Sequence, residues 1–273
     1  KNQISDSWKY SRIKKKINYK KRERELLNLL ERHRSNNKNY DCIVPGSGGK
    51  DSCFQLHVLV KKYNIKPLAV TFSHNWFTEV GKKNLWNILD ELGVDHLMFT
   101  PSKSLVNKIA RKSLFAIGDS CWHCHAGVGA FPIKAALMTK IPLLVWGEST
   151  SEAGNKSKYS DNNFGEVKFD EEYYLKVSTK VHPNKMIDTN LSEKDLYPFS
   201  LPEKKEINKL GLTGIHLGDY IFWDGEKQVE FLKKEYNWLE DNVEGTYKKY
   251  KSCECLMPGV HDYTKFLKRG FGR

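Results

Sequence analysis

The chain is expected to be an α/β protein: a parallel sheet with helices on both faces, plus a smaller, mostly helical C-terminal region. Short apolar runs alternate with amphipathic helical periods through the first half of the chain, the pattern that builds βαβ units. The first apolar run ends in a Gly- and Ser-rich turn that opens directly into a helix, which is where such sheets bind nucleotide. At 273 residues, with 39% hydrophobic and 29% charged side chains, the chain can bury one sizeable core and has a soluble composition.

The elements follow in order. Leu26, Leu27, Leu29 and Leu30 among charges predict an amphipathic helix over residues 21–34, broken by Asn36-Asn37-Lys38-Asn39. Residues 40–45 read as the first strand, and 51–63 as a helix through Phe54, Leu56, Leu59, Val60 and Tyr63. Residues 67–72 form a second strand, 78–92 a helix that stops at Gly93, and 95–100 a third strand. Helices are expected over 102–116 and 126–139, with a fourth strand from Ile141 to Trp146. Residues 150–175 then turn polar, rich in Ser, Asn, Gly, Glu and Tyr. Beyond them, 203–210 and 226–240 are helix candidates and Leu212–Leu217 a strand candidate. The organisation expected is a basic helical extension (1–39), a nucleotide-binding α/β domain (40–150) and a C-terminal substrate or partner region (151–273).

Composition narrows the setting. No run of eighteen apolar residues exists, so no transmembrane helix and no membrane partner are expected. The opening KNQISDSWKYSRIKKK lacks the apolar core of a signal peptide and an initiator Met, so the chain is expected to begin inside a longer protein. Six cysteines in a chain of this length argue against a disulfide framework and for a reduced, cytoplasmic setting. The net charge of +12 suits nucleic acid, an anionic nucleotide-linked substrate or an acidic partner, and equally a Lys-rich solvated surface. The densest basic run, Arg12 to Arg24, reads as an RNA contact or as the charged side of a helix.

The chemistry concentrates at Ser47-Gly48-Gly49-Lys50-Asp51-Ser52, directly after the strand Cys42-Ile43-Val44-Pro45. A strand, a turn of small residues and a helix N-terminus aim backbone N–H groups at one point, which suits a phosphate. Gly48 and Gly49 allow close backbone approach, Lys50 adds a mobile positive charge, Ser47 and Ser52 offer hydroxyls, and Asp51 can help hold Mg²⁺. Lys50 is followed by Asp51 rather than Ser or Thr, so this is not a Walker A loop.

Cys121-Trp122-His123-Cys124-His125 is the second cluster. Two thiols three positions apart serve as a metal half-site, a redox pair or two core cysteines. Cys253 and Cys255 offer further thiols downstream. The literal match to a haem-attachment pattern is set aside, because a cytoplasmic nucleotide-binding α/β fold rarely carries covalent haem.

These residues carry a resemblance. SGGKDS resembles the phosphate loop of the ATP-pyrophosphatase (PP-loop) superfamily, which implies a Rossmann-like, adenine-nucleotide α-hydrolase-type fold and splitting of ATP to AMP and pyrophosphate. The stretches IVPGSGGKDS (43–52), CWHCHAGVGAFP (121–132), LLVWGES (143–149) and LMPGVHDYTKFLKRGFGR (256–273) resemble the N-acetyl sugar amidotransferase branch of that superfamily, found in bacterial surface-polysaccharide gene sets. The resemblance implies conversion of the acetamido group of a 2-acetamido sugar to acetamidino, through an adenylated intermediate and with ammonia as nucleophile, in lipopolysaccharide, O-antigen or other surface-glycan synthesis. It implies a HisH-like glutaminase and a HisF-like ammonia-channel partner, and a nucleotide-linked sugar substrate.

By the same resemblance ATP and Mg²⁺ bind Ser47, Gly48, Gly49, Lys50, Asp51 and Ser52, and Val70, Thr71 and Phe72 hold adenine by backbone contacts. Gly147 lies near the α-phosphate, and Glu148 positions Mg²⁺ or ammonia or caps the next helix; Lys50, Asp51 and Glu148 are the expected catalytic set. Phe72 reads equally well as core. Cys121, Cys124 and Cys255, with Cys253 as its substitute, match the thiolates that hold a 4Fe–4S cluster in the related tRNA 2-thiolation enzymes; a cluster and Zn²⁺ both stay open. His123 and His125 are acid–base groups, ligands or structural. His261, Asp262, Tyr263, Lys265, Lys268 and Arg269 grip the phosphates of the sugar carrier or form a solvated helix. Two other functions compete: a tRNA thiolation enzyme, against which the tail and the absence of an obvious RNA-binding module argue, and a non-catalytic nucleotide-binding scaffold for a glutaminase.

Overall fold

In the computed structural model of the chain, residues 14–36, 38–148, 167, 170–243 and 248–270 are described. Strands β1 (Cys42–Pro45), β2 (Pro67–Phe72), β3 (His96–Phe99), β4 (Leu143–Trp146) and β5 (Thr213–His216) form one sheet in the order β3-β2-β1-β4-β5. Every pairing is parallel, with Val44 beside Ala69, Ile43 beside Leu144 and Val145 beside Ile215. The predicted parallel α/β architecture is present, and β5 carries the chain beyond residue 150 back into the same sheet.

All positions of β1 and β2 are buried, as expected of strands covered on both faces. Side-chain alternation divides the core in two. Cys42, Val44, Ala69, Leu143 and Val145 pack on one face with Leu26, Leu29, Leu56, Leu59, Ile88, Val229 and Leu232. Those partners come from α1 (Tyr19–Arg32), α2 (Lys50–His57) with the π turn Val58–Lys62 after it, α3 (Glu79–Leu92) and, later in the chain, the Gly225–Tyr236 helix. Ile43, Leu68, Val70, Phe72 and Leu144 pack on the other face with Ile109, Trp122, Phe131, Ile133 and Ile207. These come from α4 (Lys103–Ile117), α5 (Trp122–Thr139) and α6 (Lys204–Leu210); the Gly225–Tyr236 helix is α7, and α8 (Pro258–Arg269) ends the described chain. No described helix is long and apolar enough to cross a membrane.

Local chemistry explains where elements start and stop. Thr78 caps α3 by accepting from Gly81 N–H, and Gly93 ends it at φ 62°. Ser102 caps α4, and Gly118 ends it at φ 63°. The predicted helix over 126–139 starts earlier, at Trp122, because the Asp119 carboxylate accepts the Cys121 N–H at 2.8 Å and seeds a turn there. The helix expected to reach residue 240 stops at Tyr236, where Asn237 takes a left-handed φ of 50°. The basic run lies partly in α1, whose apolar stripe Leu26, Leu29 and Leu30 is buried; Arg12 lies outside the described residues. Arg22 turns inward, donating to the Asp219 carbonyl at 3.1 Å with its guanidinium 4.3 Å from the Tyr220 ring.

Helix α5 lies unusually close to β2. A Cβ at Gly127 would lie 2.1 Å from a ring carbon of Phe72, itself packed with Phe99, Phe131 and Phe199. Gly127→Ala is therefore expected to lower stability by about 1–3 kcal/mol through overpacking, read as a lower urea midpoint.

Candidate nucleotide and thiol sites

The strand order changes direction between β1 and β4, so the crevice at their C-terminal ends is the topological switch point. Residues 46–52 lie in that crevice and run into α2, whose N-cap is Gly49. Gly46 N–H donates to the Val70 carbonyl at 2.9 Å, and the Thr71 hydroxyl donates to the Gly46 carbonyl at 2.6 Å. Val70 and Thr71 thus brace the start of the loop. Phe72 is 4% exposed and points into the aromatic cluster under α5, so its side chain is core and only its backbone faces the strand end.

Gly48 is required in the loop for two reasons. Its φ is +81°, and a Cβ there would lie 2.3 Å from the Gly81 carbonyl oxygen. The Trp238 indole N–H donates to the Gly48 carbonyl at 3.1 Å and holds the turn from below. The Ser52 hydroxyl donates to the Gly49 carbonyl at 3.0 Å and accepts from the Ser47 N–H at 3.3 Å. Lys50 Nζ lies 2.5 Å from Asp51 Oδ2, while Trp223 Nε1–H donates to Asp51 Oδ1 at 2.9 Å. Both carboxylate oxygens of Asp51 are therefore oriented. A Cβ at Gly147 would lie 3.2 Å from the Asp51 carbonyl oxygen, so the end of β4 closes directly on the first turn of α2. The Glu148 carbonyl accepts from His216 Nδ1–H at 2.8 Å.

Glu254 completes this loop, and sequence reasoning missed it. Its carboxylate packs on Gly49, where a Cβ would lie 2.9 Å from Oε1, and it accepts from the Ser47 hydroxyl. Burial pushes its pKa up, and the nearby Asp51 adds to the rise. The loop therefore already seats a carboxyl group against Gly49. The only sequence signal was an acidic residue between Cys253 and Cys255, with nothing to connect it to residue 49.

The same segment delivers a thiol. Residues 252–256 lie along 76–78: Thr78 N–H donates to the Glu254 carbonyl at 3.2 Å, Leu256 N–H to the Trp76 carbonyl at 2.9 Å, and Phe77 bridges Cys255. Cys253 points into the core, 4.0 Å from the Leu239 carbonyl, and its neighbour is Cys53. Cys255 points the other way, toward Cys121 and Cys124, and adds to the rise in the Cys124 pKa. All six cysteines are unpaired by disulfides. Burial raises the Cys121 thiol to about 11 and the Cys255 thiol to about 12, and holds Cys124 well above the ordinary thiol value. The three sulfurs do not all lie within 4.8 Å of one another, wider than the spacing around one tetrahedral ion, so a single ion would require them to close in; a metal or iron–sulfur cluster would bind them as thiolates.

His123 is fully buried, its Nε2 3.3 Å from the His74 carbonyl, and burial lowers its pKa to about 4. That places it in the frame around the thiols rather than at a surface. Of the tail residues, Lys268 donates to the Ile117 carbonyl at 2.6 Å and Lys265 lies 3.8 Å from Asp262, so α8 packs on the α4–α5 turn. Tyr263 is exposed, and the His261 ring lies tilted at 47° against His125, ring centres 5.7 Å apart. Ser149, most of the polar 150–175 stretch, the last three residues of the tail and the Arg269 side chain lie outside what is described.

No family model matches the chain. An uncharacterised protein of Methanocaldococcus jannaschii is 30% identical over 78 residues, which span 29% of this chain and 28% of that relative's length. Among solved structures, NMN synthetase from Francisella tularensis is 12% identical, covering 93% of this chain and 95% of that one, with a TM-score of 0.40. A U34-tRNA thiolase, NcsA, from Methanococcus maripaludis, solved with its [4Fe-4S] cluster, is 13% identical over 90% of this chain and 73% of its own, TM-score 0.42. The NH3-dependent NAD synthetase of Campylobacter jejuni is 12% identical over 93% and 95%, TM-score 0.39. Likenesses of this size say nothing about the reaction of this chain.

His216 gives a pH dependence. Buried under the Glu148 carbonyl, its pKa falls from 6.5 to about 4, so it is neutral in the folded protein near pH 6 while the unfolded chain takes up a proton. The stability it contributes is complete above about pH 6.5 and is lost as pH falls to about 4, on the order of 1–3 kcal/mol. Urea midpoints of wild type and His216→Gln across that range are expected to show a shallower acid slope in the variant.

Proposed function

We propose that this chain uses ATP to activate an amide oxygen by adenylation and directs ammonia to the activated carbon. The observation that carries the ATP reading is the loop at the switch point: Gly48 at φ +81°, Lys50 and Asp51 at the start of α2, and a carboxylate already seated against Gly49 and Ser47. Lys50 and the N-terminus of α2 would neutralise charge gathering on a departing pyrophosphate. Asp51, oriented by Trp223, and Glu254 across the loop would share a Mg²⁺ ion, which supplies charge neutralisation to the phosphates.

The substrate reading is a 2-acetamido sugar, supported by the four stretches that resemble N-acetyl sugar amidotransferases. The acetamido oxygen would attack the α-phosphorus of ATP as the bond to pyrophosphate breaks. Ammonia would then add to the imidate carbon, and the C–O bond would break to release AMP, leaving an acetamidino group. Ammonia would come from a HisH-like glutaminase with a HisF-like partner, or from solution. A cytoplasmic location fits a reaction that consumes ATP.

A second reading, tRNA thiolation, is supported by the order of Cys121, Cys124 and Cys255 along the chain and by their influence on one another's ionisation. Incubating anaerobically purified protein with ATP, Mg²⁺, ammonium and a panel of nucleotide-linked 2-acetamido sugars separates the two by mass spectrometry. The amidotransferase reading expects a sugar product lighter by about one mass unit, with AMP and pyrophosphate. Unchanged sugars, with pyrophosphate release stimulated by tRNA, would replace it with the thiolation reading.

Two substitutions test the loop. Lys50→Ala is expected to slow pyrophosphate release roughly 10²–10³-fold. Glu254→Gln, which keeps shape and removes charge, is expected to raise the Mg²⁺ concentration needed for half-maximal rate; an unchanged Mg²⁺ dependence would remove Glu254 from the metal site.

A further inference from the structure

Beside the thiols lies a different set of ligand atoms. The carboxylate of Asp119, the imidazole of His125 and the imidazole of His261 each present one ligand atom, and all three atoms lie within 4.8 Å of one another. Asp119 is in the turn between α4 and α5, His125 in the first turn of α5, and His261 in the first turn of α8. We propose that Asp119, His125 and His261 form a binding site for a first-row divalent transition metal, with Zn²⁺ as the reference ion, separate from the Cys121/Cys124/Cys255 thiols.

The donor set selects the ion class. Two imidazoles with one carboxylate suit Zn²⁺, Fe²⁺ or Co²⁺ and disfavour Ca²⁺ or Mg²⁺, which take mostly oxygen. Metal–ligand bonds of about 2.0–2.1 Å put ligand atoms roughly 3.4 Å apart in a tetrahedron, so the side chains need close by only about an ångström. His125 is the exposed member of the three. The Asp119 carboxylate is already fixed in place, because its Oδ1 accepts the Cys121 N–H at 2.8 Å, which orients the second oxygen. Three protein ligands leave a position for water or substrate.

The consequence is mechanical as well as chemical. His261 belongs to α8, whose N-cap Met257 directly follows Leu256, and Met257 N–H donates to Cys255 Sγ at 3.4 Å. A metal joining His261 to Asp119 and His125 would pin α8 to the α4–α5 turn, and with it hold Cys255 in register with Cys121 and Cys124. This inference is independent of the nucleotide reading.

The test is metal content and spectroscopy. Protein stripped with chelator is titrated with Zn²⁺ and, separately, with Co²⁺. A Cys121→Ser/Cys124→Ser/Cys255→Ser variant is expected to retain about one equivalent of metal and to give Co²⁺ visible bands without the strong near-ultraviolet thiolate-to-cobalt absorption. His261→Ala and His125→Ala, each with the thiols alkylated, are expected to weaken that site at least tenfold and to lose the Zn²⁺-dependent rise in Tm, with unchanged circular dichroism. Retention of the thiolate-free Co²⁺ signal in both histidine variants would overturn the proposal. So would its absence from wild-type protein whose thiols are alkylated, a measurement that stands even where the triple serine variant does not fold.

Discussion

Much of this molecule depends on the approach of one backbone to another, where residue 254 passes over the first turn of α3. A Cβ at Gly81 would lie 2.4 Å from the Glu254 Cα, so only glycine admits the passage. From that crossing the Glu254 carboxylate reaches the loop at Gly49, while the next residue, Cys255, turns toward Cys121 and Cys124. The adjacent Cys253 faces the core with Cys53. Residues 252–255 form a turn, closed by the Cys255 N–H on the Ser252 carbonyl at 3.1 Å, and so three successive side chains leave it in three directions: the core, the glycine loop and the other thiols.

The loop itself is held by groups drawn from distant parts of the chain. Trp238 supports the Gly48 carbonyl, Trp223 orients Asp51, and Thr71 fixes Gly46. Buried N–H and O–H donors of this kind are costly to leave unpaired, so each pins its partner strongly. The result is a preorganised loop with Lys50 on one side and the carboxyls of Asp51 and Glu254 on the other.

The strands and helices around the loop were legible because their signals are local. A buried run such as Cys42–Pro45, a capping Thr78 and a terminating Gly93 each declare themselves within a few residues. The loop was legible for the same reason, since a strand, glycines and a helix start are contiguous. The start of α5 at Trp122 was not, because it rests on the Asp119 carboxylate meeting one N–H, which spacing does not reveal. Glu254, Trp223 and Trp238 were illegible for a deeper reason: their partners at residues 48–51 lie in a different part of the chain, and no periodicity links them. The choice between Cys253 and Cys255 likewise depends on how the turn at 252–255 is docked on 76–78.

The distance in sequence between the loop and the groups that complete it has a consequence for biosynthesis. As the chain leaves the ribosome, β1, the loop and α2 emerge early, but Trp223, Trp238 and Glu254 follow only after all five strands have been made. Long-range contacts of this kind form late in folding. A nascent chain would therefore carry the glycine turn without its indole supports and without the carboxylate that faces it. If the proposed ATP reading holds, competence to bind nucleotide would arrive only late, making ligand binding a check on the completeness of the polypeptide.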